Sequence, residues 1–311
     1  MYAHAVIEDS KTLLEKTHPC EETWKYAEMM AFNSQIIRTA HQFYLGEWQK
    51  VRSFFDHMVG KMRPFFEFSH YLRLPYPLSW FDWDYSYEGL TIEEGSVAVT
   101  KRGALATTFR DEESLIALNL YGFSPAHRLW TMMPVGYFVS IGKTFSNNQS
   151  ACAAIKNQIG IDYSDYESHV ICIPWIFPFA SEQAQKQIFE DQNDLLMVHF
   201  GLLLLNCKDV DTKKVCPPAK LNKKRLARGK GPLFTYHILK LPVPKAAQRT
   251  AVGDEPPQYH LPLHFCRAHP AYYGPEGPLF GKWVGLFWRQ AHLRGRDRTR
   301  MALKDYELDL D

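Results

Sequence analysis

The chain has 311 residues, 46% hydrophobic and 23% charged, a balance that excludes disordered, collagen-like and coiled-coil classes and suits about two compact units. Its formal net charge of +2 hides a division. Residues 213–311 carry 19 Lys+Arg against 8 Asp+Glu, a surplus of +11, while the first 212 carry 17 against 26, a balance of −9. Such asymmetry points to an acidic partner for the basic part, or to attraction between the two parts.

Residues 1–70 are predicted as a helical region. From Glu21 to Met62 the apolar and aromatic side chains recur at spacings of three and four, which predicts two helices broken near Asn33 or Gly46. Residues 71–212 are predicted as an α+β core domain. Tyr71 to Asp84 mixes prolines with aromatics, as in an extended edge segment leading into a strand. Short strands are predicted at Leu90–Ile92, Ser96–Thr100, Ala104–Phe109, Ser114–Tyr121 and Gly136–Gly142, with turn signals such as Glu94-Gly95 between them. Ser181–Cys207 is predicted as a helix. Its apolar run, Leu195–Leu205, is well short of the roughly 20 residues of a membrane span, so it is expected to be buried in the fold.

Residues 213–311 are predicted as a basic, β-rich module. It holds a helix over Pro218–Ala227, a strand over Phe234–Leu241, a solvated loop over Pro242–Pro257, and strands over His264–His269 and Lys282–Trp288. The fold class expected is α+β: an amino-terminal helical layer, a central mostly antiparallel sheet and a small basic β module at the carboxy terminus. No basic-then-apolar signal opens the chain and the six cysteines show no pairing rhythm, so a cytoplasmic location is expected.

Three blocks carry a resemblance. They are Leu74-Pro-Tyr-Pro-Leu-Ser-Trp-Phe-Asp-Trp83, the basic stretch Asn222-Lys-Lys-Arg-Leu-Ala-Arg-Gly-Lys-Gly-Pro-Leu-Phe-Thr-Tyr-His237, and His264-Phe-Cys-Arg-Ala-His269 followed by Leu279-Phe-Gly-Lys-Trp-Val-Gly-Leu-Phe-Trp288 and His292-Leu-Arg-Gly295. Together they resemble a family of uncharacterised bacteriophage, prophage and mobile-element proteins. The resemblance implies a phage or mobile-element setting, within the cytoplasm of a host cell, and brings no activity with it. In the family the third block has the pattern His-x-x-Arg-Gly-His-x-Arg; here Ala268 replaces the glycine and no second arginine follows.

The basic stretch carries the chemistry. Lys213 to Lys245 contains ten Lys+Arg and no Asp or Glu. On a helix, Lys220, Lys223, Lys224 and Arg228 share one side, where like charges repel by a few tenths of a kcal/mol per pair, about what an anionic partner offsets. Lys220, Lys223, Lys224, Arg225, Arg228 and Lys230 are therefore the candidate nucleic-acid-binding residues, with Arg267, Arg289 and Arg294 extending the surface. Phe234, Tyr236, Tyr272, Tyr273, Trp283, Phe287 and Trp288 are candidates for stacking on unpaired bases. Strand alternation through His264–His269 puts Arg267 and His269 on one face. With His237 they suggest a cationic pocket for metal-free phosphodiester cleavage. Zinc held by His264, Cys266 and His269 needs a bulge, so neither metal nor cofactor is expected. Asp82-x-Asp84 and Glu93-Glu94 are read as exposed carboxylates. No phosphate loop, dinucleotide fingerprint, His-Glu-x-x-His or nucleophile elbow occurs.

The function expected is that of a phage or mobile-element accessory protein that binds nucleic acid through its basic module. The alternatives are a protein-binding inhibitor or adaptor acting on a host defence factor through the aromatics between Trp24 and Tyr71, or a metal-free nuclease. No membrane partner is expected.

Overall fold

Apolar spacing of three and four makes the first elements amphipathic helices. Helix α1 (Ala3–Lys16) buries Ala3, Val6, Ile7 and Ser10, and α2 (Glu21–Thr39) buries Ala27, Met30, Asn33, Ser34 and Ile37. The computed structural model describes residues 2–16, 21–48, 72–85, 101–109, 112–124, 128–174, 191–240, 262–266, 269–289, 292–294 and 297–301. Contacts divide the chain into two units, Met1–Asn206 with Thr212–Lys240, and Cys207–Asp211 with Leu241–Asp311.

The first unit is built on an eight-stranded mixed sheet. Its strands are β1 (His41–Glu47), β2 (Leu78–Asp84), β3 (Lys101–Phe109), β4 (Glu112–Ser124), β5 (Leu129–Ser140), β6 (Val170–Pro174), β7 (Asp211–Val215) and β8 (Tyr236–Lys240), in the order β6-β5-β4-β3-β2-β1-β8-β7. From β6 to β2 all pairings are antiparallel, whereas β1 runs parallel to both β2 and β8. The class is α+β, as expected.

Alternation along β2 sends Trp80, Asp82 and Asp84 to one face and Phe81 and Trp83 to the other. On the first face Trp80, Leu105, Tyr121, Trp130 and Met132 form one core with the buried residues of α1 and α2. Helix α3 (Gln149–Ile159) packs Ala151, Cys152 and Ile155 against Leu115, Phe138 and Ile171. Its amino end is capped by Asn148, whose side chain accepts from Ala151 N and donates to Ser114 Oγ and Ser140 Oγ. The second face meets α4 (Gln192–Asn206). Arg102, the cross-strand neighbour of Trp83, reaches Asp194 of α4 at 3.4 Å, and Gly201 lies against Leu45 of β1. Because α4 is apolar nearly all round, it is buried as the sequence suggested.

Four expectations are corrected in this unit. The helical pattern is interrupted after Thr39: His41–Glu47 is a strand, since hydrogen bonding to β2 on one side and β8 on the other outweighs local spacing, and residues 49–62 of the expected second helix lie outside the described residues. Asn33 does not break α2 but is buried within it and donates to Met132 Sδ. Residues 1–70 are not a separate helical region, because α1 and α2 share a core with the sheet. The boundary expected at residue 213 does not hold either, because β8 pairs with β1, so 212–240 belong to the first unit. Of the predicted strands, Ala104–Phe109, Ser114–Tyr121 and most of Gly136–Gly142 fall in β3, β4 and β5. Leu90–Ile92 and Ser96–Thr100 lie outside the described residues.

In the second unit β9 (Pro262–Cys266) is flanked by β12 (His292–Arg294) and β13 (Asp297–Met301), while β10 (His269–Tyr273) pairs antiparallel with β11 (Gly285–Arg289). The single strand expected over His264–His269 is thus two strands in two sheets, and the alternation drawn through it does not apply. Between β10 and β11 the chain turns tightly at Leu279–Trp283. Lys282 N donates to Leu279 O at 3.1 Å, and both central residues, Phe280 (φ 53°) and Gly281 (φ 72°), sit in the left-handed region. Gly281 accommodates that freely, whereas the bulky Phe280 is held there at a cost of about 1–2 kcal/mol.

Close packing of β2 on β3 depends on Gly103, where a Cβ would come 2.4 Å from Cζ2 of the fully buried Trp80. Gly103→Ala is expected to lower stability by about 1–3 kcal/mol, read as a lower urea midpoint. Adding Trp80→Phe to Gly103→Ala is expected to recover part of that loss; no recovery would place the strain elsewhere.

Candidate nucleic-acid interface

The basic stretch folds as a short helix with a locked exit. Helix α5 (Ala219–Leu226) starts behind Pro217-Pro218, and Pro218 O accepts from Leu221 N and Asn222 N. At its end Lys230 N donates to Arg225 O and Gly229 N to Leu226 O, a Schellman motif in which the left-handed residue is Gly229 (φ 69°). Asn222 then clasps the departing chain. Its Nδ2 donates to Leu233 O at 3.0 Å and its Oδ1 accepts from Leu233 N at 2.7 Å. Phe234 packs on the core of the first unit, so the helix and its turn are fastened at both ends.

Within this frame the cations take two roles. Arg225 is turned inward. It is 18% exposed and donates to Glu8 Oε1 at 2.8 Å and to Gly231 O at 2.9 Å. It therefore holds the turn against α1, which removes it from the ligand-facing set. Lys220, Lys223, Lys224, Arg228 and Lys230 are exposed, and none of them pairs with a carboxylate among the described residues. Lys213 and Lys214 on β7, at one edge of the sheet, are exposed too. The carboxy-end position of Lys223 and Lys224 suits the helix dipole, which offsets part of their mutual repulsion.

The remaining candidates are scattered. His237 lies on β8 in the first unit, its ring 5.6 Å from that of Phe43. Burial, together with His41 and Lys214 nearby, pushes its pKa down, which disfavours its charged form. His269 lies on β10 in the second unit, opposite Arg289. Arg267 and the side chain of Arg294 lie outside the described residues. His237 and His269 thus lie on different strands, in different units. Arg289 stands over the Tyr273 ring at 5.9 Å. Among the aromatics proposed as protein anchors, Phe43 and Trp48 are buried in the core, Tyr26 donates to Met132 O, and Phe32 stands exposed. Among the described residues no three His, Cys, Asp or Glu are grouped as for a metal, and no helix is long and apolar enough to cross a membrane.

The carboxylates are where the sequence reading was furthest from the structure. Asp82 is fully buried, not exposed; its Oδ2 accepts from Tyr2 N at 2.7 Å and from Trp80 Nε1 at 3.2 Å. Asp84 beside it accepts the hydroxyls of Tyr2 and Tyr44. On the other face Asp194 meets Arg102, and Asp191 accepts the Tyr137 hydroxyl. Composition carries no sign of this, because only tertiary packing decides which carboxylates are enclosed. Glu93-Glu94 lies outside the described residues.

No protein-family model, curated protein or solved structure matches the chain.

Burial raises the pKa of Asp82, against the two hydrogen bonds it accepts, and raises that of Asp194 from 3.8 to about 6 against the pull of Arg102. A carboxyl raised in the folded state stabilises the fold while protonated, and that contribution is lost as pH climbs from the unfolded value through the folded one. His4 and His237, pushed down by burial, act in the opposite sense. Asp82→Asn is therefore expected to flatten the fall in urea midpoint between about pH 4 and 6 relative to the parent. Superimposable profiles would show that Asp82 does not titrate there.

Proposed function

We propose that this chain binds nucleic acid through the exposed cations Lys213, Lys214, Lys220, Lys223, Lys224, Arg228 and Lys230, as an accessory protein of a phage or mobile element. One observation carries the reading: on a rigidly fastened helix and turn, the cations other than Arg225 face solvent without carboxylate partners among the described residues. A protein that needed them for its own stability would match them internally, as it does Arg225. Lysines spaced along a helix, an edge strand and a turn meet phosphates as point charges, which favours the backbone of a polyanion over any one base. Binding is preferred over cleavage, since His237 and His269, the two candidate acid–base residues, belong to different units.

If all seven cations engage phosphates of duplex DNA, the logarithm of the association constant falls with the logarithm of salt concentration at a slope of about −6. Reversing Lys223, Lys224, Arg228 and Lys230 to Glu, with Arg225 left in place, is expected to abolish the complex in a mobility-shift assay. Unchanged affinity, or an affinity indifferent to salt, would overturn the reading.

A further inference from the structure

The second unit has a cleft of about 870 Å³ of its own. Its floor is the buried pair Phe287 and Trp288 on β11, and at its rim stand Phe280, 81% exposed, and Trp283, 56% exposed. Large aromatics are seldom left that open, and Phe280 is kept open by a left-handed backbone that a bulky side chain resists. Such an outlier argues for a use of the ring outside the fold.

Charge around the cleft is arranged by position. Lys208 and Arg289 line it, and Lys282 stands exposed in the turn between the two rim aromatics. Lys208 is held in place, its Nζ donating to Val284 O at 2.6 Å and its backbone N to Leu286 O at 2.9 Å. A single carboxylate, Asp209, also lines the cleft. Its Oδ1 accepts from Trp288 N at 2.6 Å, and its Oδ2 makes no hydrogen bond among the described residues. A free phosphate entering there would meet that carboxylate. A nucleobase suits it better, because every base has a flat π-face for the rings and at least one N–H for a carboxylate oxygen, while its phosphates remain with the cations outside.

We propose that this cleft takes an unpaired base of single-stranded nucleic acid, stacked on Trp283 and Phe280, with Lys208, Lys282 and Arg289 on the flanking phosphates. The inference rests on the reading of the chain as a nucleic-acid binder and adds a preference for single strands.

The test uses the full chain and fluorescence anisotropy at fixed salt, with labelled dT12 and a 12-base-pair duplex as probes. The double variant Phe280→Ala/Trp283→Ala is expected to bind dT12 about tenfold or more weakly and the duplex as the parent does. Trp283→Phe, which keeps a ring, is expected to retain most of the affinity for dT12, and this separates stacking from misfolding. Unchanged dT12 binding in the double variant overturns the inference and leaves the basic helix untouched. So does an equal loss on both probes. Failure of the parent to bind either probe overturns both readings. A concentration-dependent rise in sedimenting mass, abolished by Trp283→Ala, would assign the rings to a second copy of this chain instead.

Discussion

Strand β1 is hydrogen-bonded in parallel on both sides, and most of the first unit follows from that. Parallel neighbours cannot be joined by a tight turn, so the chain must leave the sheet and return by a crossover each time. This is why residues 41–47, 78–84 and 236–240, distant in sequence, lie side by side. The basic helix stands on the excursion between β7 and β8, with Asn222 and Phe234 fixing the way back into β8. The register of β1 on β2 brings the Tyr44 hydroxyl to Asp84, so one alignment sets both backbone pairing and side-chain contact.

The enclosed carboxylates add specificity to that alignment. A one-residue slip of β2 would carry Asp82 away from Tyr2 N and Trp80 to the face that α4 covers. On that face Asp194 and Arg102 join helix to strand, and Asp191 with Tyr137 repeats the device two strands further along. Groups like these add little net stability, since enclosing a charge costs much of what its partners return. They do penalise any other way of stacking α1 or α4 on the sheet, because a misplaced carboxylate would lose its donors.

What the sequence revealed and what it hid divides along physical lines. The helices over 192–206 and 219–226 and the strand over 236–240 were legible because a long apolar run, lysines at helical spacing and a β-rich segment are local signals. Strand β1 was not, since Phe43, Tyr44 and Trp48 continue the spacing of α2, and only their pairing partners make the segment extended. The break between Cys266 and His269 is invisible to a period-two count, which assumes a straight strand. Charge marked residue 213 as a boundary, but contacts, not composition, define a unit. The outward lysines of the interface could be anticipated from an acid-free window. The inward turn of Arg225 could not, because its partner Glu8 is 217 residues away.

Strand β7 ends the sheet and has Lys213 and Lys214 along it. A terminal strand leaves half of its backbone donors and acceptors without neighbours, which makes it a template for aggregation through strand addition. Two copies meeting at that border would crowd four ammonium groups together. The same side chains that are proposed to meet an acidic polymer therefore also protect the protein from polymerising on itself.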